Sequence, residues 1–163
     1  VAFMLELLQP ENGDKILDIG ACSGWQTAML AYIVGKEGRV FAIERIAELV
    51  EFGKKNVAKY NFFEKGTVEF ICGDGSRGYP NIATRPELLE SSSESRLVEG
   101  FDKIIAAAAA EEIPIAWKEQ LKIGGRLVTP VKSSIWLLVK KSQDQFEEQE
   151  FPGFAFVPLI SNK

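Results

Sequence analysis

Lys15-Ile16-Leu17-Asp18-Ile19-Gly20-Ala21-Cys22-Ser23-Gly24-Trp25 runs from an apolar segment into a glycine-bearing turn. Lys15–Ile19 reads as a short buried strand, residues 20–25 as a tight turn, and Gln26 as the start of a helix. In an open α/β sheet, a turn at the carboxyl end of a strand is where nucleotides bind. Gly20 and Gly24 carry no Cβ, so the backbone there can approach a ligand closely. The N–H groups at the following helix start can hold a carboxylate.

The identity of that ligand follows from where the glycines stand. A dinucleotide fingerprint needs glycine at the first, third and sixth positions of the turn. Counted from Gly20, the third is Cys22 and the sixth is Trp25, which disfavours a nicotinamide or flavin cofactor. The pattern Asp-x-Gly-x-Gly-x-Gly, found in S-adenosylmethionine-dependent methyltransferases, fits better. It would fall on Asp18, Gly20, Cys22 and Gly24, with Cys22 alone out of pattern. The same stretch also reads as an ordinary strand–turn–helix with no ligand.

Outward from this turn, strands and helices alternate. Residues 1–9 read as the end of a helix closed by Pro10, and residues 11–14 as a turn. A helix over residues 26–34, ended by Gly35 and Gly38, leads to a strand at Arg39–Glu44. An amphipathic helix over 46–60 and a strand over 67–72 follow. Phe101–Ala106 is a fourth strand, running into the alanines 106–110. A helix over 113–121 has Pro114 in its first turn; Gly124-Gly125 closes it, and 126–131 is a fifth strand. Residues 134–141 and 148–160 read as two more strands, joined by a polar turn as an antiparallel hairpin. The fold expected is α/β and Rossmann-like: a mostly parallel, doubly wound sheet with a C-terminal antiparallel hairpin, in one domain over residues 1–163. Residues 82–100, with Ser91-Ser92-Ser93 flanked by glutamates, are polar and low in complexity. They read as a mobile insertion, either a lid or a surface loop that the fold tolerates.

Composition excludes several classes of function. The chain has 163 residues, 46% of them hydrophobic, which is enough for a sizeable core. A net charge of −4 without a basic run argues against nucleic acid or an anionic membrane as partner. No apolar run approaches the roughly 20 residues of a membrane helix, and no signal peptide is visible. The two cysteines, Cys22 and Cys72, fall at the ends of strands expected to be neighbours; the simple reading is two free thiols in a reducing cytoplasm. There is no histidine, which removes His-based triads and His metal ligands, and no cysteine cluster offers a metal site. The chain opens on Val1 in mid-pattern, so an upstream segment is expected to lie outside it.

Three acids fall at the carboxyl ends of expected strands. Glu44 ends the second strand, twenty residues after Gly24, where a carboxylate can accept hydrogen bonds from ribose hydroxyls. Asp74, in Gly73-Asp74-Gly75, ends the third and can take the exocyclic amino group of an adenine; Asp-Gly is also an ordinary turn pair. Asp18 lies under the glycine turn, placed to orient backbone amides or to meet an amino group. Together they suit a cationic ligand that contains adenosine and has free ribose hydroxyls, and they disfavour a phosphate-rich one.

With these residues in place, the chain resembles the protein-L-isoaspartate O-methyltransferase family of protein-repair enzymes. The resemblance rests on residues 1–8, the stretches Ile16–Gly20 and Ser23–Ala28, Gly38–Glu44, Gly73-Asp74-Gly75-Ser76-Arg77-Gly78-Tyr79-Pro80, and 101–105. It continues through the alanine run into Ile113-Pro114, then residues 120–128 and 156–160, and only 82–100 falls outside. It implies S-adenosylmethionine as cofactor, S-adenosylhomocysteine as product, and methyl transfer to the free α-carboxylate of L-isoaspartyl residues in damaged proteins or peptides. By position it implies that Ile19, Gly20, Ala21, Cys22 and Ser23 line the methionine part, Glu44 the ribose, and Asp74 with Gly75 the adenine; Asp18 and Gly24 complete the expected cofactor-binding set. The chain is expected to be a cytoplasmic monomer that engages neither nucleic acid nor membrane. Cys22 stands where the family has Gly, and Ala107 and Glu111 where it commonly has Thr and Pro. The family's acceptor-contacting segment, with its Ser or Thr, precedes the position of Val1, so the catalytic group is unassigned within this chain.

The chemistry agrees with the composition. A carboxylate with a pKa near 4 is already ionised at pH 7 and needs no general base. A histidine-free, metal-free site can then act mainly by positioning. Two other readings stay open: a relative turned to another acceptor, and a non-catalytic relative that binds S-adenosylmethionine or S-adenosylhomocysteine.

Overall fold

The computed structural model describes residues 1–80 and 100–160. The insertion expected at 82–100 lies outside the described residues except for Gly100. Helix α1 (Ala2–Leu8) leads into strand β1 (Lys15–Ile19), helix α2 (Trp25–Val34), strand β2 (Arg39–Glu44), helix α3 (Ala47–Val57) and strand β3 (Val68–Cys72). Strand β4 (Phe101–Ala106), helix α4 (Ile115–Gln120) and strands β5 (Leu121–Val131), β6 (Ser134–Lys140) and β7 (Phe146–Pro152) follow.

All seven strands form one sheet, in the order β3-β2-β1-β4-β5-β6-β7. β1 to β5 pair in parallel, and β6 and β7 are antiparallel. The chain builds leftward from β1 to β3, then restarts at β4 on the other side of β1. The switch between β1 and β4 opens a crevice at their carboxyl ends. Cys22 follows β1 and Cys72 ends β3, and β2 separates these strands, so the two do not end neighbouring strands as the sequence suggested; both are free thiols.

Side-chain alternation along each strand divides the core in two. Ile16, Val40, Ile105 and Val128 meet Met4 and Leu8 of α1, Leu30 and Val34 of α2, and Val57 at the end of α3. Leu17, Ile19, Phe41, Ile43, Ile104 and Leu127 point to the opposite face, where Trp117 of α4 covers them. This period of two is what a strand imposes, and helices on both faces bury both sets. The carbonyl of Leu7, at the end of α1, accepts from Arg126 Nε at 2.8 Å, which ties the first helix to β5.

Three boundaries depart from the sequence reading by about three residues or more. α3 ends at Val57 and the chain continues as a single 3-10 turn, Ala58–Tyr60. α4 stops at Gln120, and β5 begins at once with Leu121, so Gly124-Gly125 lies inside a strand and caps no helix. Phe101 pairs with Leu121 while Lys103 pairs with Arg126, so residues 122–125 form a bulge. The last strand ends at Pro152. Residues 153–160 leave the sheet and cross the alanine run, bridging Ala109 to Pro158.

Candidate functional site

The glycine turn is built by the main chain. Gly20 N–H and Ala21 N–H both donate to Ile43 O, at 2.8 and 3.1 Å, which draws the turn over the end of β2. Cys22 takes a left-handed conformation (φ 48°), the region that favours glycine. Its N–H donates to Glu44 Oε2 at 3.1 Å, and Ile46 N–H donates to Glu44 Oε1 at 3.0 Å. Glu44 is buried, at 7% exposure, and these two amides hold its carboxylate at the end of β2.

Gly24 serves a different purpose from the one its motif suggests. A Cβ there would lie 2.8 Å from Val57 Cγ2 and 2.9 Å from Gly53 O, at a φ of +76°. Its bare backbone lets α2 pack onto α3; a ligand has no part in that contact. Ser23 O accepts from Asn56 Nδ2 at 3.0 Å in the same joint.

Asp18 is fully buried and faces α2. Its Oδ1 accepts from Gln26 Nε2 at 2.8 Å and its Oδ2 from Thr27 Oγ1 at 2.6 Å. The expected bonds to backbone amides are replaced by these two side chains. Burial pushes its carboxyl up to about 6 despite the Thr27 and Gln26 bonds, and the neighbouring Glu44 charge adds to the rise. An acid with a raised folded pKa binds a proton more tightly folded than unfolded. Stability therefore falls as pH rises from about 4 to about 6, then levels off. Asp18→Asn is expected to flatten that slope and to gain about 1–2 kcal/mol at pH 7, the amide's donor facing Thr27 offsetting part of the gain. Urea unfolding at pH 4, 5, 6 and 7 checks this, and a variant with the wild-type slope would count against it.

Asp74 caps the 3-10 turn Gly75–Arg77, accepting from Ser76 N–H at 3.0 Å. Gly75 is pressed against the end of β1, where a Cβ would lie 2.6 Å from Ile19 Cγ2.

At the carboxyl ends of these strands lies a cleft of about 440 Å³. Ile19, Gly20, Cys22, Glu44 and Gly75 line it, as expected from the sequence. Asp18, Ala21, Ser23, Gly24 and Asp74 are not among its lining residues. Ala107, which stands in the family's threonine position, lines it; Glu111 does not. The sequence reading missed Ile46 and Leu49, which follow Glu44 onto α3, and the wall of Val157, Pro158, Leu159 and Ile160. Main-chain bonds set that wall: Ala109 N–H donates to Val157 O at 2.8 Å and Leu159 N–H to Ala109 O at 2.7 Å. Matching of 156–160 to the family pattern was the one signal for it.

A larger groove, about 920 Å³, lies beside the β6–β7 turn. Its rim carries opposed charges, Lys118–Glu148 and Lys141–Glu147, that pair with each other. It is remote from the switch between β1 and β4. The smaller cleft, with its buried carboxylate, is the chemically equipped one.

Comparison with known proteins agrees with this geometry. The sequence model of the protein-L-isoaspartate(D-aspartate) O-methyltransferase family matches residues 1–163. A protein-L-isoaspartate O-methyltransferase of Methanopyrus kandleri is 37% identical over 100% of this chain and 66% of its own length. One from Staphylothermus marinus is 43% identical over 98% of this chain and 67% of its own. This chain thus spans about two thirds of the length of these relatives, and 56% of the Aeropyrum pernix one. A solved protein-L-isoaspartate O-methyltransferase superposes with a TM-score of 0.79 at 26% identity, covering 99% of this chain and 46% of that one. A Plasmodium falciparum structure assigned to the same activity, in complex with S-adenosyl-L-homocysteine, gives 0.81 at 22% identity over 99% of this chain and 73% of its own; at that identity the likeness is one of fold. Since the match runs from the first residue to the last, this chain belongs to the protein-L-isoaspartate(D-aspartate) O-methyltransferase family.

Proposed function

We propose that the chain binds S-adenosylmethionine in the 440 Å³ cleft and serves methyl transfer to the α-carboxylate of L-isoaspartyl residues in damaged proteins, with S-adenosylhomocysteine as product. The observation that carries this is Glu44, a buried carboxylate held by two backbone amides at the edge of the cleft. Each of its oxygens keeps acceptor capacity for a ribose hydroxyl. Gly75 would lie along the adenine. Gly20, where an added Cβ would lie 3.8 Å from Ala107 Cβ, leaves room for the methionine part between β1 and β4. The apolar residues of the cleft bury an uncharged purine and thioether at little desolvation cost.

When bound, the sulfonium cofactor supplies an activated methyl group. The chain's own contribution is positional. The main-chain-fixed turn and the 157–160 wall confine the reacting groups, and such confinement can be worth roughly 7–11 kcal/mol. The acceptor carboxylate is ionised at neutral pH, so no residue here has to remove a proton. We further propose that the chain works as a cytoplasmic monomer, in one domain, and engages neither nucleic acid nor membrane. No helix among the described residues is long and apolar enough to cross a membrane.

Calorimetry with S-adenosylhomocysteine, followed by a methyl-transfer assay on an isoaspartyl peptide and its aspartyl twin, tests the reading. Measurable binding is expected, with methylation confined to the isoaspartyl peptide. Turnover should rise when the residues that precede the match in a longer relative are joined to Val1, because the resemblance places the acceptor-gripping hydroxyl there. Absence of binding would overturn the proposal. One feature favours binding without efficient turnover: the exposed Cys22 side chain, at positive φ, reaches into the cleft where the family has glycine. Cys22→Gly separates the two readings, since faster turnover at equal affinity would show that the thiol crowds the reacting groups.

A further inference from the structure

We infer that Trp117, on the face of the sheet opposite to α2, is a positioning residue for the adenine end of the cleft. The inference rests on the cofactor reading above. Trp117 is fully buried, and its Nε1–H donates to Gly75 O at 2.8 Å. The same carbonyl accepts from Gly78 N–H at 3.0 Å, which closes the 3-10 turn. Gly75 is therefore held from two sides: Ile19 behind it leaves no room for a Cβ, and the indole fixes the plane of its peptide.

The bracket extends along α4. Gln120 donates from Nε2 to Tyr79 O at 2.9 Å and accepts Tyr79 N–H on Oε1 at 2.8 Å, in the geometry of a strand neighbour. Lys140 of β6 donates to Lys118 O and Leu121 O, at 2.7 and 2.8 Å, and anchors the end of α4 to the sheet. A six-residue helix has almost no stability of its own. α4 is kept in place by these contacts, and it transmits that placement to residues 75–79. In loops that hold a purine, a tilted peptide misdirects the groups that read the base edge. The expected loss from removing the indole donor is therefore one of base recognition.

Trp117→Phe keeps the ring and removes the donor. Its affinity for S-adenosylhomocysteine is expected to fall about 3- to 10-fold, as for one neutral hydrogen bond. The preference for S-adenosylhomocysteine over S-inosylhomocysteine, which lacks the 6-amino group, should shrink by a similar factor. Leu138→Ala serves as control: it truncates the same apolar cluster from β6 and removes no hydrogen bond to residues 75–79. It should lower the melting temperature while leaving the base preference unchanged. If Trp117→Phe does not fold, Gln120→Leu decides, with a fall of about threefold or more expected from its lost bonds to Tyr79. Wild-type affinity and base preference in the variant that folds would overturn the inference while the cofactor reading stands. Failure of the wild-type chain to bind S-adenosylhomocysteine would overturn both.

Discussion

Lys140→Met is expected to destabilise the fold by about 2–4 kcal/mol and to lower Tm by roughly 5–15 °C. Lys140 is 2% exposed, and its ammonium faces the end of α4, donating to the carbonyls of Lys118, Glu119 and Leu121 at 2.7, 3.5 and 2.8 Å. These are the carbonyls a helix leaves without partners at its C-terminus, where the macrodipole also favours a cation. Methionine fills nearly the same volume, so the loss reports the polar contacts rather than a cavity. It frees the ammonium's desolvation cost but strands the carbonyls in the interior. Lys118→Met is the comparison. Its ammonium lies 5.4 Å from the same Phe146 ring that Lys140 approaches at 5.7 Å, yet it is a third exposed. A change below about 0.5 kcal/mol is expected there. Thermal and urea unfolding of the two variants decide the matter. Equal stability of Lys140→Met and wild type would mean that α4 is held in place without the Lys140 ammonium.

Glu44→Ala is expected to weaken S-adenosylhomocysteine binding about 10- to 150-fold, as befits hydrogen bonds to a charged group. A strand-end acid, read from the sequence alone, implies only that loss. The structure adds a second cost. Removing the carboxylate strands Cys22 N–H and Ile46 N–H, so stability should also drop on the order of 1–3 kcal/mol. Glu44→Gln separates the two effects, because its carbonyl can still accept from one amide while the charge is gone. Calorimetry gives the affinities, and urea unfolding gives the stabilities. Unchanged affinity in Glu44→Ala would show that the ribose lies elsewhere.

Much of this was legible in the sequence because parallel strands buried on both faces read as short apolar runs. β1, β2 and β4 were bounded correctly at both ends, and their carboxyl ends define the cleft. The end of α4 was not legible. Gly124-Gly125 looks like a helix stop, but the stop is made by a lysine twenty residues downstream, and no local pattern records that. Gly24 was read as a glycine that lets the backbone approach a ligand; the close approach that the structure shows is to Val57 and Gly53 of α3. Asp18 was read as facing the turn, yet a strand turns alternate residues to opposite faces, and Asp18 shares the face of Ile16, toward α2. The 157–160 wall was taken as strand because its apolar residues continue those of β7. Gly153 and the exposed end of β7 mark the break only once the bridge to Ala109 is seen.

That wall is fastened by peptide groups, through Ala109 N–H and Leu159 N–H. Peptide groups are common to all residues, so the fastening is indifferent to which side chains it carries. Val157 is 69% exposed and Ile160 55%, free of the packing that constrains a core residue. Exchange at these two positions can reshape this side of the cleft while the wall keeps its place. In evolutionary terms, side chains can drift at Val157 and Ile160 without the scaffold being put at risk.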